Sequence, residues 1–275
     1  MTNFPQTKAY PWALIGVFAA LHLVITLIPY NIAFGGGEIS FGMVSAPLVG
    51  FLLGPLFGTV AVLVGSIIGM FMHAEIAVMG PFTVLATVAG AFAAGMIRSK
   101  KPHIVPILYL LAMAMYLVSP IGILVPEYVW FHAAAFLISL FFVVPEVSKT
   151  LQDSLNPQKG RRTRFVVSIW LLSVVSITMD HAVGSAIAPY YFVTLLGNES
   201  AAFAGFFEFA ILLYPLERLV GSFILTAILV PLAEILSQSN LGIPINSLES
   251  VQLEELRRVN ESEIQPEGQQ SHSNE

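Results

Sequence analysis

Long apolar segments separated by short polar ones dominate the hydrophobic pattern of the chain. A helix needs about 20 apolar residues to cross the hydrocarbon core of a bilayer, and about eight segments approach that length. They lie at about 11–30, 40–54, 56–72, 78–97, 104–124, 128–146, 165–189 and 204–236. The pattern predicts an all-α protein, a polytopic membrane helix bundle with about eight spans.

Two places in this pattern carry signals for a change of direction. Gly54-Pro55 separates the second segment from the third, which predicts a tight turn followed by a helix start. The last segment is long for one span and contains Pro215. We therefore expect either a kink at Pro215 or a separate outer segment over 203–213.

The composition supports membrane insertion, because 56% of the residues are hydrophobic and only 11% are charged. Soluble domains carry about 25% charged residues, so a soluble enzyme, a nucleic-acid-binding protein and a disordered protein are excluded. The chain has no cysteine, which excludes disulfides and thiol chemistry. Residues 238–275 hold seven acidic and two basic residues, which accounts for the whole net charge of −5. This segment is predicted to be a mostly disordered cytoplasmic tail that follows a membrane domain over 1–237.

Basic residues indicate the orientation of the bundle. They cluster at 98–101, 149–164 and 257–258, and the positive-inside rule places all three clusters in the cytoplasm. Because even numbers of segments separate the clusters, both termini are expected to be cytoplasmic, in a multi-pass protein of the cell membrane. Residues 147–164 are then the main cytoplasmic linker.

Ionisable residues within spans are costly to insert, so each is a candidate for function. The clearest pair is Asp180-His181, in the outer half of the seventh segment. The candidate substrate-binding residues, all near the predicted outer side, are Asp180, His181, Arg218, Trp130, His132, Glu38, His73 and Glu208. Since the inner halves of the spans hold few charged residues, the pattern predicts a pocket that opens outward and no proton pathway.

Structural explanations for the same residues remain open. Glu38 can be a solvated loop carboxylate, and Arg218 can form a packing ion pair with Asp180 or Glu208. Trp130 can belong to the belt of aromatic residues at the membrane surface.

Motifs of enzymes and of metal sites are missing from the sequence. His73-x-Glu75 and His132 have no HExxH, paired-His or Cys pattern beside them, so no metal is predicted. There is no GxSxG, Walker A or GxGxxG sequence either, so neither an enzyme nor a cofactor is predicted.

Small residues recur at four-residue spacing in several spans, which lets helix backbones approach closely in lipid. Such spacing usually indicates packing inside the bundle. The pair Gly16 and Ala20, in the cytoplasmic half of the first span, fits the docking of a partner membrane protein best.

Four stretches of the chain resemble the substrate-binding (S) component of energy-coupling-factor (ECF) transporters. They are ALIGVFAAL (13–21), PLVGFLLGPLFGTVAVLVGSIIG (47–69), PFTVLATVAGAFAAGMI (81–97) and LYPLERLVGSFILTAILVPLAEIL (213–236). The family has about six spans, so the resemblance implies a six-helix core with an extra helical pair inserted at 104–146.

The resemblance also implies a function. The chain would capture a vitamin or a related micronutrient at its outer side, with the 31–40 loop as a lid. The Gly16/Ala20 face would dock onto a transmembrane coupling subunit, and separate cytoplasmic ATPase subunits would hydrolyse ATP. No nucleic acid is expected as a partner. Besides the subunits named above, the expected partner is the lipid bilayer.

Two other functions compete with this one. A stand-alone secondary transporter would need ion coupling and matching broken helices in two halves, and no convincing internal repeat is visible. A membrane-embedded enzyme would use Asp180, His181 and Glu208 as acid and base groups.

Overall fold

The structure, a computed structural model, describes residues 9–30, 39–157 and 161–239. The α-helices within these ranges are α1 (Tyr10–Thr26), α2 (Gly42–Met72), α3 (Thr83–Arg98), α4 (Ile104–Leu117), α5 (Trp130–Phe141), α6 (Pro145–Ser154), α7 (Arg162–Pro189) and α8 (Ser200–Gln238). The shorter elements are 3-10 turns at Ala74–Ile76, Gly80–Phe82 and Pro126–Val129, a π-helical turn at Tyr190–Leu195, and the antiparallel strands β1 (Pro29–Tyr30) and β2 (Ile39–Ser40).

Several of these helices are suited to a bilayer. By length and composition, four can cross one: Gly42–Met72, Gly80–Arg98, Arg162–Leu195 and Ser200–Gln238. The number becomes five if α5 and α6, which are bent by 91° relative to each other, form one broken span. The predicted all-α class with apolar spanning helices is confirmed at this level, while eight crossings and cytoplasmic termini stay predictions.

Helix α2 reverses direction at Gly54. This residue has φ 82° and ψ 178°, values outside the helical region that glycine adopts without a steric penalty. A Cβ built on Gly58 would lie 2.7 Å from the Cα of Gly50. In a continuous helix these positions would be about 12 Å apart, since each residue rises 1.5 Å. The two arms of α2 therefore form a hairpin, and the turn predicted at Gly54-Pro55 is confirmed.

Helix α3 packs into this hairpin by direct backbone contact. A Cβ on Gly50 would overlap the carbonyl oxygen of Ala91, and a Cβ on Gly95 would lie 2.5 Å from Pro55. Only glycine permits this separation, because any side chain would push the two helices apart. For these glycines the small-residue spacing serves packing inside the bundle.

Helix α1 lies against the open end of the hairpin. A Cβ on Gly65 would lie 2.6 Å from the carbonyl oxygen of Ala19. One turn further along, the ring of His22 is fully buried and bonds both arms of the hairpin. Its Nδ1 is 2.7 Å from Ser45 Oγ, and its Nε2 is 2.9 Å from Ser66 Oγ. These bonds satisfy the polar ring within the membrane domain.

Helix α7 occupies the centre of the bundle and contacts α3, α4, α5 and α8. Its middle section is buried, and Tyr109 on α4 donates a hydrogen bond to the carbonyl oxygen of Val175 at 2.6 Å. The position of α7 matters for the candidate site because Asp180 and His181, two of the predicted site residues, follow this section directly.

The predicted segments at 104–124 and 128–146 are longer than the helices found there. Helix α4 ends at Leu117, and Tyr116 Oη donates to the carbonyl oxygen of Val125 across the turn that follows. The linker predicted over 147–164 is partly helical, since α6 begins at Pro145. Val144 is extended, as the residue before a proline tends to be, and this accounts for the sharp bend.

Of the two alternatives expected at Pro215, the separate outer segment over 203–213 is not formed, because α8 continues through Pro215 as one helix. A proline lacks the amide that would bond the carbonyl four residues earlier. That carbonyl belongs to Ile211, and it accepts a hydrogen bond from Trp130 Nε1 at 3.0 Å. The indole thus replaces the missing helical bond.

Candidate functional site

A cavity of about 400 Å³ opens at one end of the bundle, between the last turns of α7 and the first half of α8. The start of α2, the segment 76–79 and the start of α3 complete its wall. This end lies opposite the basic residues, since α3 runs from the cavity to Arg98 and α7 begins at Arg162 on the far side. The positive-inside rule predicts that the basic end is cytoplasmic, and in that orientation the cavity would face outward.

Apolar and aromatic side chains form most of the cavity wall. They include Met43, Ile76, Val78, Met79, Tyr128, Phe192, Phe206, Phe207, Phe209, Leu213 and Tyr214. Ligand sites of this size usually combine such a wall with a few placed polar groups.

The wall contains two carboxyl groups and one guanidinium group, namely Asp180 on α7 and Glu217 and Arg218 on α8. Arg218 Nη1 donates to Met43 Sδ at 2.7 Å, and Arg218 Nε has no hydrogen-bond partner among the described residues. The described residues also form no ion pair within 4.0 Å between Arg218 and either carboxylate. The packing ion pair considered from the sequence is therefore not formed among them.

His181 lies in the wall at the centre of an aromatic cluster. Its Nε2 shares a hydrogen bond of 2.9 Å with Tyr128 Oη, and its ring stacks on Tyr214 with centroids 4.5 Å apart. Tyr214 Oη donates to the backbone oxygen of Tyr128 at 2.7 Å. These contacts hold the imidazole in one orientation toward the cavity.

His132 lies behind this cluster, outside the lining of the cavity. Its ring is 5.3 Å from those of His181 and Tyr214, and its side chain is buried. Its Nε2 has no partner within the part of the chain that the structure describes. His132 can therefore influence the cavity only through the side chains in front of it.

Of the eight candidate residues, Asp180, His181 and Arg218 line the cavity. The placements of Trp130 and Glu208 differ from the prediction. Trp130 bonds α8 at Ile211 and does not line the cavity, and Glu208 is exposed outside it. Glu38 and most of the predicted 31–40 lid lie outside the described residues.

His73 is also absent from the cavity lining. Its Nδ1 donates to Glu75 Oε1 at 2.7 Å on an exposed turn. This hydrogen bond from His73 lowers the pKa of the Glu75 carboxyl below its ordinary value. The pair is a local feature of the surface.

Sequence reasoning missed Glu217, Tyr128 and Tyr214. Glu217 had a sufficient signal in the sequence, because an acidic residue within an apolar helix is a candidate for function. The two tyrosines had no comparable signal, because their contacts with His181 join residues far apart in the sequence.

The described residues contain no group of three or more His, Asp or Glu side chains arranged to hold a metal ion. The chemistry that the cavity offers is recognition by charge, hydrogen bonds and aromatic surface.

The predicted docking pair lies on the opposite side of α1 from the hairpin. Ala20 is exposed, and a Cβ built on Gly16 would meet no atom within 4 Å. These two small residues therefore do not serve packing within the described part of the chain.

No protein-family model matches the chain, and no solved structure matches it. It is similar to uncharacterized protein MJ0923 of Methanocaldococcus jannaschii, with 22% identity over 177 residues. The match covers 64% of this chain and 57% of that protein, so the chain spans little more than half of that relative's length.

Proposed function

We propose that the chain is a multi-pass protein of the cell membrane that binds a small molecule at its outer side. We further propose that it is the substrate-capture subunit of an ECF-type uptake transporter for a vitamin or related micronutrient. The cavity between α7 and α8 carries the first proposal, since it combines apolar volume with convergent polar side chains. The resemblance of the sequence to S components carries the second.

The course of the helices supports eight crossings. The hairpin arms of α2 run from the cavity end to Gly54, which lies near Ser99 at the basic end, and back. Helices α3, α4, α5, α7 and α8 then alternate in direction, and α1 ends beside the start of α2. Such alternation places the start of α1 and the end of α8 on the same side.

The open face of α1 supports a membrane partner. Small residues at four-residue spacing allow two helices to approach closely, and Gly16 and Ala20 have no such neighbour in the described residues. A transmembrane coupling subunit is the proposed partner, with cytoplasmic ATPase subunits attached to it.

Mass spectrometry of small molecules released from the purified, denatured protein tests the capture function. Cells grown in rich medium should yield a stoichiometric vitamin-like compound. An empty protein from such cells, with no ligand in a screen of micronutrients, would contradict a high-affinity capture role.

ATP dependence separates the proposed transporter class from the alternatives. Uptake of the identified compound should require ATP hydrolysis and should persist when proton and sodium gradients are dissipated. Uptake by the chain alone, driven by an ion gradient, would establish the secondary transporter in its place. Chemical conversion of the compound by the purified chain would establish the enzyme.

Gly16→Leu tests the docking face. The large side chain should prevent close approach of a partner helix, so ATP-driven uptake should be lost while ligand binding by the isolated chain stays intact. Val17→Leu, at an exposed neighbouring position, is the matched control. Equal uptake by both variants would remove Gly16 from the interface.

A further inference from the structure

The cavity wall holds one cationic and two anionic side chains without an ion pair between them. Arg218, Asp180 and Glu217 all line it, and the nearest polar contact of the guanidinium is the sulfur of Met43. A thioether is a weak acceptor that carries no charge. Within the described residues, the guanidinium thus has no counter-charge in contact.

Unpaired charges in a poorly solvated cavity are costly, and proteins usually retain them where they meet a charged partner. Glu217 and Arg218 are both largely buried, at 7% exposure each. If they served only packing, they would be expected to bond to each other or to Asp180. Their separation is what a site with a charged occupant requires.

The positions of the three charged groups determine where a bound ligand must carry its own charges. Asp180 approaches from α7, and Arg218 from α8 on the facing wall. Glu217 and Arg218 are adjacent in sequence and leave the helix about 100° apart, so they reach different parts of the cavity. A molecule that satisfies all three must carry opposite charges on separate groups.

The surface between the charged groups is aromatic. Phe207 packs edge-on against Tyr128 with centroids 4.8 Å apart, and Tyr128 and Tyr214 form the adjoining wall. Aromatic rings favour flat ligand bodies and attract cations to their faces.

We infer that the ligand is zwitterionic: an aromatic or heteroaromatic body with a carboxylate or phosphate that binds Arg218, and a protonated nitrogen that binds Asp180 and Glu217. This inference rests on the proposed capture function and specifies its substrate class. With two carboxylates and one guanidinium in the wall, a ligand with net charge zero or +1 is favoured over a net anion.

Three related probes test the charge requirement on the full chain in detergent. L-phenylalanine carries both charges, phenethylamine lacks the carboxylate, and 3-phenylpropionate lacks the amine. Ligand binding raises the unfolding temperature, and at equal concentration L-phenylalanine should raise it most. A larger shift with either singly charged probe overturns the inference.

Isosteric variants assign each charge to its partner. In Arg218→Gln, phenethylamine should give the largest rise in unfolding temperature. In Asp180→Asn and Glu217→Gln, the rise given by 3-phenylpropionate should increase relative to those given by the other two probes. The affinity of each variant for L-phenylalanine should fall about tenfold, the change expected when one charged contact is lost. Glu199→Gln, at an exposed residue before α8, should keep the wild-type order. If the order of the probes is the same in all variants, the inference is wrong.

The identity of the natural ligand separates this inference from the capture function. A stoichiometric zwitterion released from the protein supports both. A stoichiometric compound with no ionised group, or with ionised groups of only one sign, leaves the capture function standing and overturns the zwitterionic class. A protein that releases no compound and responds to none of the probes contradicts both.

Discussion

Two regions of the bundle differ in the space that they leave between their helices. In the glycine-packed region, formed by α1, α2 and α3, backbones touch and there is no room for a single added carbon at Gly50. In the cavity region, formed by the last turns of α7, the first half of α8 and the segments that complete the cavity wall, large side chains surround a volume that they do not fill. In the glycine-packed region, residue choice is limited because side chains have no space. In the cavity region, residue choice is set by the groups that a bound ligand needs.

Addition of one methyl group to the glycine-packed region should give the largest effect. Gly50→Ala places a Cβ onto the backbone of Ala91, so we expect about 3 kcal/mol or more of destabilisation, the upper range for overpacked sites. Gly205→Ala on α8 is the control, because a Cβ there meets no atom within 4 Å. Thermal unfolding in detergent measures both variants, and equal unfolding temperatures would refute the backbone contact.

Removal of a side chain from the cavity region should affect binding and leave the fold intact. Asp180→Ala should weaken binding of the co-purifying compound about tenfold or more, since it removes a charged contact. Membrane insertion and unfolding temperature should stay close to the wild type. Isothermal titration of the folded variant provides the measurement, and an unchanged affinity would exclude Asp180 from the site.

The polar cluster around His22 tests whether the glycine-packed region depends on hydrogen bonds as well as on close contact. His22→Ala removes both ring hydrogen bonds and should cost about 1–2 kcal/mol, as for polar contacts between membrane helices. A double-mutant cycle with Ser45→Ala isolates one bond. A coupling energy of zero would show that the hydrogen bond between His22 and Ser45 adds nothing to stability.

The exposed pair of His73 and Glu75 should show the smallest effect. Its hydrogen bond lowers the pKa of Glu75, so any stabilising contribution is present above about pH 4.3 and is lost as the pH falls through the lowered pKa. Because both side chains face solvent, Glu75→Gln should leave the unfolding temperature at pH 7 unchanged. A clear decrease would mean that this turn couples to the cavity region.

The hairpin could be predicted because its cause is local. A Gly-Pro step ends one helix and begins another by backbone chemistry alone, and both residues are visible in the sequence. The lengths of α4 and α5 were harder to predict from the sequence. Both helices end at turns, which involve Tyr116 and Pro145, although the apolar character of the sequence continues beyond the helix ends.

Two charged residues of the candidate site could also be predicted from a local signal in the sequence. Asp180 and Arg218 stand out against an apolar background, and the structure places both in one cavity. The role of Trp130 was hidden, since its partner at Ile211 depends on how two distant segments meet. Aromatic residues are common in membrane proteins, and sequence position alone does not distinguish a residue of the cavity wall from one of the aromatic belt at the membrane surface.

The length of α8 has a mechanical consequence. Its 39 residues rise about 58 Å, almost twice the roughly 30 Å of the hydrocarbon core. The same helix joins the cavity to the opposite end of the bundle, where Glu234 pairs with Arg162 at 3.4 Å. Trp130 replaces the bond missing at Pro215, one of the two prolines within α8. A tilt of α8 at the cavity would therefore displace Glu234, about 24 Å beyond Arg218 along the helix.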